Sequence, residues 1–394
     1  MDYKFAELTK RMGGEGAFEV LAKARAIEAT GKKVVHFEIG EPDFDTPAHI
    51  KKAAFEALEQ GYTHYGPAPG LPEVRTAFAN YVATTRNTKV DPEQIVITVG
   101  AKPIILYTML AFVNPGDEVI YPDPGYPIYS SAIQFAGGVP KPIVLREENE
   151  FRLDIDELKK MITPKTKVII INTPHNPTGS VLTRDDIKQI LELVDGTDIM
   201  ILADELYHRI YFEGEMAPSF YEFEDFHKNI ILMEGFSKIY AMTGWRLGYA
   251  VAPKPVAEIF SQIQVNVYSH APTFIQLAGK AAYEGPQDAP KAMVEEFKRR
   301  RDYIIERLNN MPGVHALMPH GAFYAFPNVK KFGKPADEIA SYLLEKAGVA
   351  LLGGTSFGAG GEGYIRISYA TSMDNIKIGM DRMEEAFHKL LKEA

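Results

Sequence analysis

Six short apolar runs are spaced through the middle of the chain: "QIVITVG" (94–100), "DEVIYP" (117–122), "KVIIINTP" (167–174), "DIMILADE" (198–205), "NIILMEGF" (229–236) and "LGYAVAP" (247–253). They are rich in β-branched residues and apolar at consecutive positions, the pattern of strands buried on both faces. Between them lie stretches with helical spacing, among them 101–113, 126–137, 183–195 and 255–263. This β-α-β rhythm predicts an α/β fold, with an open, mostly parallel sheet covered by helices. The two ends of the chain read differently. An amphipathic helix and a short strand are expected over 13–38, and a long charged helix over 290–311. A strand in "GAFYAFPNV" (321–329), a helix over 335–347, a strand in "YIRISYA" (364–370) and a last helix follow. Together the ends are expected to build a smaller α+β domain, 1–45 with 290–394, beside a large domain over 46–289.

Composition narrows the chemistry. The 394 residues suffice for a large core. A formal net charge of −9 argues against nucleic acid or an anionic membrane as partner. The chain has no cysteine, which excludes disulfides, thiolate catalysis and cysteine-ligated metal; no metal is expected. The start, "MDYKFAELTKRMGGEG", lacks the apolar segment of a secretory signal, and no apolar run reaches membrane-spanning length. The cytoplasm is the expected location.

In open α/β sheets, ligands sit outside the carboxyl ends of the strands. After 94–99 come Gly100 and Ala101, with Pro103 suited to a first helical turn, a place where free backbone N–H groups attract anions. The next runs lead into Tyr126, into "NTPHNPTG" around Asn176, into Asp204 with Tyr207 close behind, and into "GFSK" with Lys238. Each has an ordinary explanation when taken singly: a turn, a packed ring, a helix cap, a solvated lysine. Their coincidence along one sheet edge points to a site.

These residues carry a family resemblance. "GEPDFDTP" (40–47), "HYGPAPGLPEVR" (64–75), "TVGAKP" (98–103), "NPGDEVIYPDPGYPIY" (114–129), "NTPHNPTG" (172–179), "ADELY" (203–207), "GFSKIYAMTGWRLGY" (235–249) and "YIRISYA" (364–370) resemble the class I aminotransferases. These are fold-type I enzymes dependent on pyridoxal phosphate, and the likeness is to the bacterial and archaeal aspartate/aromatic subgroup. The resemblance implies that Lys238 joins the cofactor aldehyde, which requires a free amine of lowered pKa. It implies that Ser237 and Arg246 bind the phosphate, helped by backbone donors at Gly100, Ala101 and Lys102. Lys238 and Arg246 then tolerate each other because a phosphate lies between them. Asp204 would pair with the ring nitrogen, Asn176 and Tyr207 with the ring oxygen, and Tyr126 would stack on the ring. Arg366 would hold the substrate α-carboxylate, with Gly40 where the backbone must come close. Tyr65 would reach the phosphate of a neighbouring subunit, which implies a homodimer.

The implied activity is ping-pong transfer of an amino group between an L-amino acid and a 2-oxo acid. Aspartate or glutamate with 2-oxoglutarate is the favoured pair: Lys102, in the phosphate-cradle turn, is either a reader of a distal carboxylate, as a lysine there is in some relatives, or a solvated lysine at a helix start. Phe18, Tyr126, Tyr129, Tyr268 and Phe357 are candidate pocket aromatics, which would suit aromatic or alanine-type substrates instead. Two rivals remain: a β-eliminating C–S lyase on the same fold, and an aminotransferase-like sensor of a transcription regulator. The acidic chain offers no DNA-binding module for the second.

Overall fold

The structure is a computed structural model describing residues 3–393. Its twelve strands, in chain order, are β1 (Val35–His36), β2 (Ile95–Val99), β3 (Glu118–Asp123), β4 (Val139–Val144), β5 (Thr166–Asn172), β6 (Met200–Asp204), β7 (Ile230–Gly235), β8 (Leu247–Val251), β9 (Tyr324–Ala325), β10 (Val349–Ala350), β11 (Leu352–Gly353) and β12 (Ile365–Ser368). Seven of them form the main sheet, in the order β2-β8-β7-β6-β5-β3-β4. All neighbours run parallel except around β8, which is antiparallel to both β2 and β7. One reversed strand therefore leaves β2, β3, β5, β6 and β7 with their carboxyl ends on one edge.

The consecutive apolar positions bury both faces of this sheet. Ile95, Ile97, Ile169, Ile171, Ile201, Ile230 and Leu232 enter one core. The residues alternating with them, Val96, Val168, Ile170, Leu202 and Ile231, enter a second. The first core is closed by the helices Pro72–Thr85, Arg184–Val194 and Thr273–Glu284, the second by Lys102–Phe112, Ile128–Phe135 and Lys254–Val267. Each fully buried Ile, Leu or Val contributes about 1.5–3 kcal/mol relative to exposure, so the strands are held from both sides. Local signals set the helix ends: Thr183 and Asp186 form a capping box, and prolines occupy the first turns at Pro72, Pro103 and Pro255.

The runs read from sequence coincide with β2, β3, β5, β6, β7 and β8. The strand β4, "VPKPIV", escapes that reading because its two prolines break the apolar pattern; it lies at the sheet edge, where proline is tolerated. The helix expected over 335–347 is α-helical only at Ala336–Tyr342 and ends in a π-helical turn, Leu343–Ala347.

The remaining strands come from both ends of the chain. Val35 pairs with Val349 and His36 with Ala350, while β11, β12 and β9 form a three-stranded antiparallel sheet. The N-terminal helix Gly16–Glu28 joins them through Ala24, packed with Leu344 and Ala350. Among the described residues, no helix is long and apolar enough to cross a membrane.

Candidate active site

At the carboxyl edge of the main sheet lies a cavity of about 440 Å³. Of the cofactor and substrate residues implied by the resemblance, all but Gly100 and Tyr65 line it.

Gly100 sits directly behind Arg246. It holds φ +77, and a Cβ there would lie 2.3 Å from Arg246 Nη2. Only glycine both adopts that backbone and leaves room for the guanidinium. Arg246 itself has φ +55, a conformation uncommon outside glycine, and its Nη1 donates to Thr243 O at 2.8 Å. Gly248 presses against the same turn, since a Cβ on it would lie 2.5 Å from Ala101 N. This close packing sets the start of helix Lys102–Phe112 beside Arg246 and the buried Ser237. A guanidinium, a hydroxyl and a helix N-terminus meeting at one end of a cavity suit a phosphate.

Asp204, at the end of β6, is buried. Burial pushes its carboxyl up to about 6, against hydrogen bonds from Tyr129 Oη (2.5 Å) and Leu206 N (3.2 Å) that hold it down. A buried carboxylate of this kind suits a positively charged donor. Beside it in the chain, Glu205, His208 and Glu234 bring their ligand atoms within 4.8 Å of one another. Arg86 Nη2 donates to Glu205 Oε2 at 3.2 Å and to Glu234 Oε1, so a guanidinium supplies the positive charge there.

Lys238 Nζ donates to Gly40 O at 2.6 Å. Burial lowers its amine to about 8; Glu41 opposes this, and the charges of Arg366 and Arg246 add to it. An appreciable fraction is thus free amine near neutral pH, as a nucleophile or base requires.

Across the cavity, Arg366 on β12 is buried between the rings of Tyr324 and Phe357, 4.6 and 4.9 Å from their centroids. Its Nη2 donates to Glu38 O, its Nη1 lies 3.5 Å from Asn176 Oδ1, and its Nε is buried without a partner. A buried guanidinium with an unused donor is prepared for a carboxylate. Tyr207 Oη and Tyr324 Oη share a hydrogen bond of 2.8 Å, and a Cβ on Gly40 would lie 2.2 Å from Tyr324 Oη. Gly40 therefore admits the Tyr324 hydroxyl.

Two of the candidate pocket aromatics lie elsewhere. Tyr268 does not line the cavity; its hydroxyl accepts from Val99 N and donates to Gln264 Oε1. Phe357 does not line it either and acts as a face for Arg366. Lys102 lines the cavity and forms an ion pair with Glu15. Tyr65 stays outside its own chain's cavity, 93% exposed and edge-on to His270. Sequence reasoning missed Tyr324, Glu38 and Glu15. Tyr324 looks like core on an apolar strand, and Glu38 acts through its backbone. Glu15 alone left a cue, as a lone acid among the glycines of "GGEG" just before a helix.

A lowered amine, a buried carboxylate and a phosphate-suited helix start at one cavity are the features of an enzyme site that takes a small phosphorylated ligand. Comparison with known proteins gives the family. The Aminotransferase class I and II family matches residues 32–383. Over 370 residues the chain is 42% identical to the aspartate aminotransferase of Pyrococcus abyssi, covering 93% of this chain and 94% of that one. Over 363 residues it is 43% identical to aromatic-amino-acid aminotransferase 2 of Thermococcus litoralis, covering 91% and 92%. The structure of aspartate aminotransferase from Thermus thermophilus with maleate aligns over 98% of this chain and 100% of that one, with a TM-score of 0.92 and 34% identity. The chain belongs to the class I and II aminotransferases; it is an enzyme of the aspartate/aromatic subgroup, and its cofactor is pyridoxal phosphate.

Proposed function

We propose that this cavity is the transamination site and that aspartate and glutamate are the preferred donors, with 2-oxoglutarate as partner oxo acid. The observation that carries the substrate reading is Lys102. Four cations line the cavity among the described residues: Lys102, Lys238, Arg246 and Arg366. Phosphate accounts for Arg246, the α-carboxylate for Arg366 and the chemistry for Lys238. Lys102, paired with Glu15 inside the chain, is the cation left to meet a substrate's side-chain carboxylate.

Pyridoxal phosphate, when bound, supplies the electron sink that lets the Cα–H bond of the amino acid break. Ser237, Arg246 and the Gly100–Lys102 turn would hold its phosphate. Asp204 would serve its ring nitrogen, Asn176 and Tyr207 its ring oxygen, and Tyr126 would pack on the ring. Tyr129 keeps Asp204 ionised by donating to it. Arg366 fixes the substrate α-carboxylate beside Gly40, which orients the Cα–H bond. Lys238, as the free amine, would take the Cα proton as base and, once protonated, return it as acid. The same residues run the reverse sequence with the second oxo acid.

Aromatic donors are the second reading. Phe18 and Tyr126 line the cavity, and one relative is named an aromatic-amino-acid aminotransferase. For either donor class the proposed working unit is a cytoplasmic homodimer whose Tyr65, exposed in one chain, would complete the neighbour's phosphate site. The division into 1–45 with 290–394 and 46–289 belongs to the same reading, supported by the pairing of Val35 with Val349.

The test is to supply Asp, Glu, Phe, Tyr and Ala singly to the cofactor-loaded protein with 2-oxoglutarate and measure the oxo acid formed. Aspartate, and glutamate when oxaloacetate replaces 2-oxoglutarate, are expected to react fastest. Pyruvate and ammonia released from a β-substituted amino acid without any acceptor would favour the eliminating C–S lyase.

A further inference from the structure

Lys102, the cation assigned to the substrate's distal carboxylate, is already occupied by a carboxylate of the chain itself. Glu15 Oε1 accepts from Lys102 Nζ and also from Tyr126 Oη at 3.0 Å. Both contacts join residues far apart in sequence, and all three side chains line the cavity. Glu15 stands immediately before helix Gly16–Glu28, yet its side chain makes no capping bond to that helix. The helix gains nothing from the carboxylate; its bonds go to the cavity. Its neighbours are Gly13, Gly14 and Gly16, and a Cβ on Gly14 would meet nothing within 4 Å. Gly14 is therefore not kept for close packing, and glycine gives this segment the backbone freedom to move.

We propose that Glu15 is an internal substitute for the substrate's side-chain carboxylate. It satisfies Lys102 and Tyr126 when a neutral or aromatic side chain fills the cavity, and leaves them when an acidic side chain arrives. The exchange keeps the charge at Lys102 balanced in both cases, so one cavity serves two substrate classes without stranding a lysine. It also places a built-in competitor against acidic substrates, which lowers their affinity selectively. This rests on the reading of the cavity as the substrate site.

The test uses the cofactor-loaded protein and two unreactive acids, succinate and 3-phenylpropionate, with binding measured by calorimetry. Glu15→Gln keeps the size and the hydrogen-bonding capacity of the side chain and removes its charge. In this variant succinate is expected to bind roughly fivefold tighter or more, and 3-phenylpropionate within about twofold of the parent. The KM for aspartate falls while kcat holds. Adding Lys102→Met to Glu15→Gln is expected to remove the gain. Succinate affinity that is unchanged or weaker in Glu15→Gln, while transamination proceeds, would overturn the role of Glu15 alone. Failure of every amino acid to yield an oxo acid would overturn the substrate-site reading and this proposal together.

Discussion

The two ends of the cavity are built in opposite ways. The phosphate and ring end is made at the tips of neighbouring strands: Gly100 after β2, Asp204 closing β6, Lys238 just past β7. Each is fixed by a sheet buried on both faces. The substrate end is made by meetings between distant segments. Arg366 reaches Glu38 across 328 positions, Lys238 reaches Gly40 across 198, and Tyr126 reaches Glu15 across 111. Several of these contacts use backbone carbonyls. One end is therefore set by neighbouring strand tips, and the other is assembled from segments far apart in the chain.

Lys238→Ala is expected to have the largest effect, about 10⁴-fold or more in turnover, since covalent attachment and proton transfer are the roles proposed for this amine. Circular dichroism and the unfolding midpoint are expected to hold. Near-normal turnover in that variant would remove the strand-tip end from the mechanism. The next largest effect is on stability. Arg86→Met leaves Glu205 and Glu234 buried without their cation, and urea unfolding is expected to show a loss of about 3–5 kcal/mol. At the assembled end, Arg366→Lys loses the two-pronged grip, and kcat/KM for aspartate is expected to fall roughly a hundredfold, most of it in KM. An equal fall in kcat would mean that Arg366 acts on the reaction more than on binding.

The smallest effect is a displaced midpoint. Lys238 titrates near 8 rather than at the ordinary 10.5, so its free-amine fraction rises through pH 8. The rate at which cofactor-free protein takes up pyridoxal phosphate is expected to climb between pH 7 and 9 with its midpoint near 8. A midpoint near 10 would show that burial and the two arginines do not act on this amine as described.

The same contrast explains what could be read from the chain beforehand. Strand tips follow apolar runs, so Asp204 and Lys238 announce themselves by position. Their chemistry is that of single side chains. Strand β4 was hidden because Pro140 and Pro142 interrupt its pattern, and only the edge position makes them harmless. Tyr324 and Glu38 carry no local sign, because one gains its role from Tyr207 and the other lends only a carbonyl to Arg366. Tyr268 and Phe357 show the converse. They have the composition of pocket residues, and packing turned one toward Val99 and the other toward Arg366. The pairing of Lys102 with Glu15 spans 87 positions, and no pattern along the chain records it.

Retention of the removed amino group on the enzyme is tested by mixing the cofactor-loaded protein with aspartate alone, without any oxo acid, and following a single turnover. One equivalent of oxaloacetate per site and no free ammonia are expected, with the enzyme then able to convert added 2-oxoglutarate to glutamate. Release of ammonia in step with the oxo acid, or no oxo acid from any amino acid offered, would contradict it.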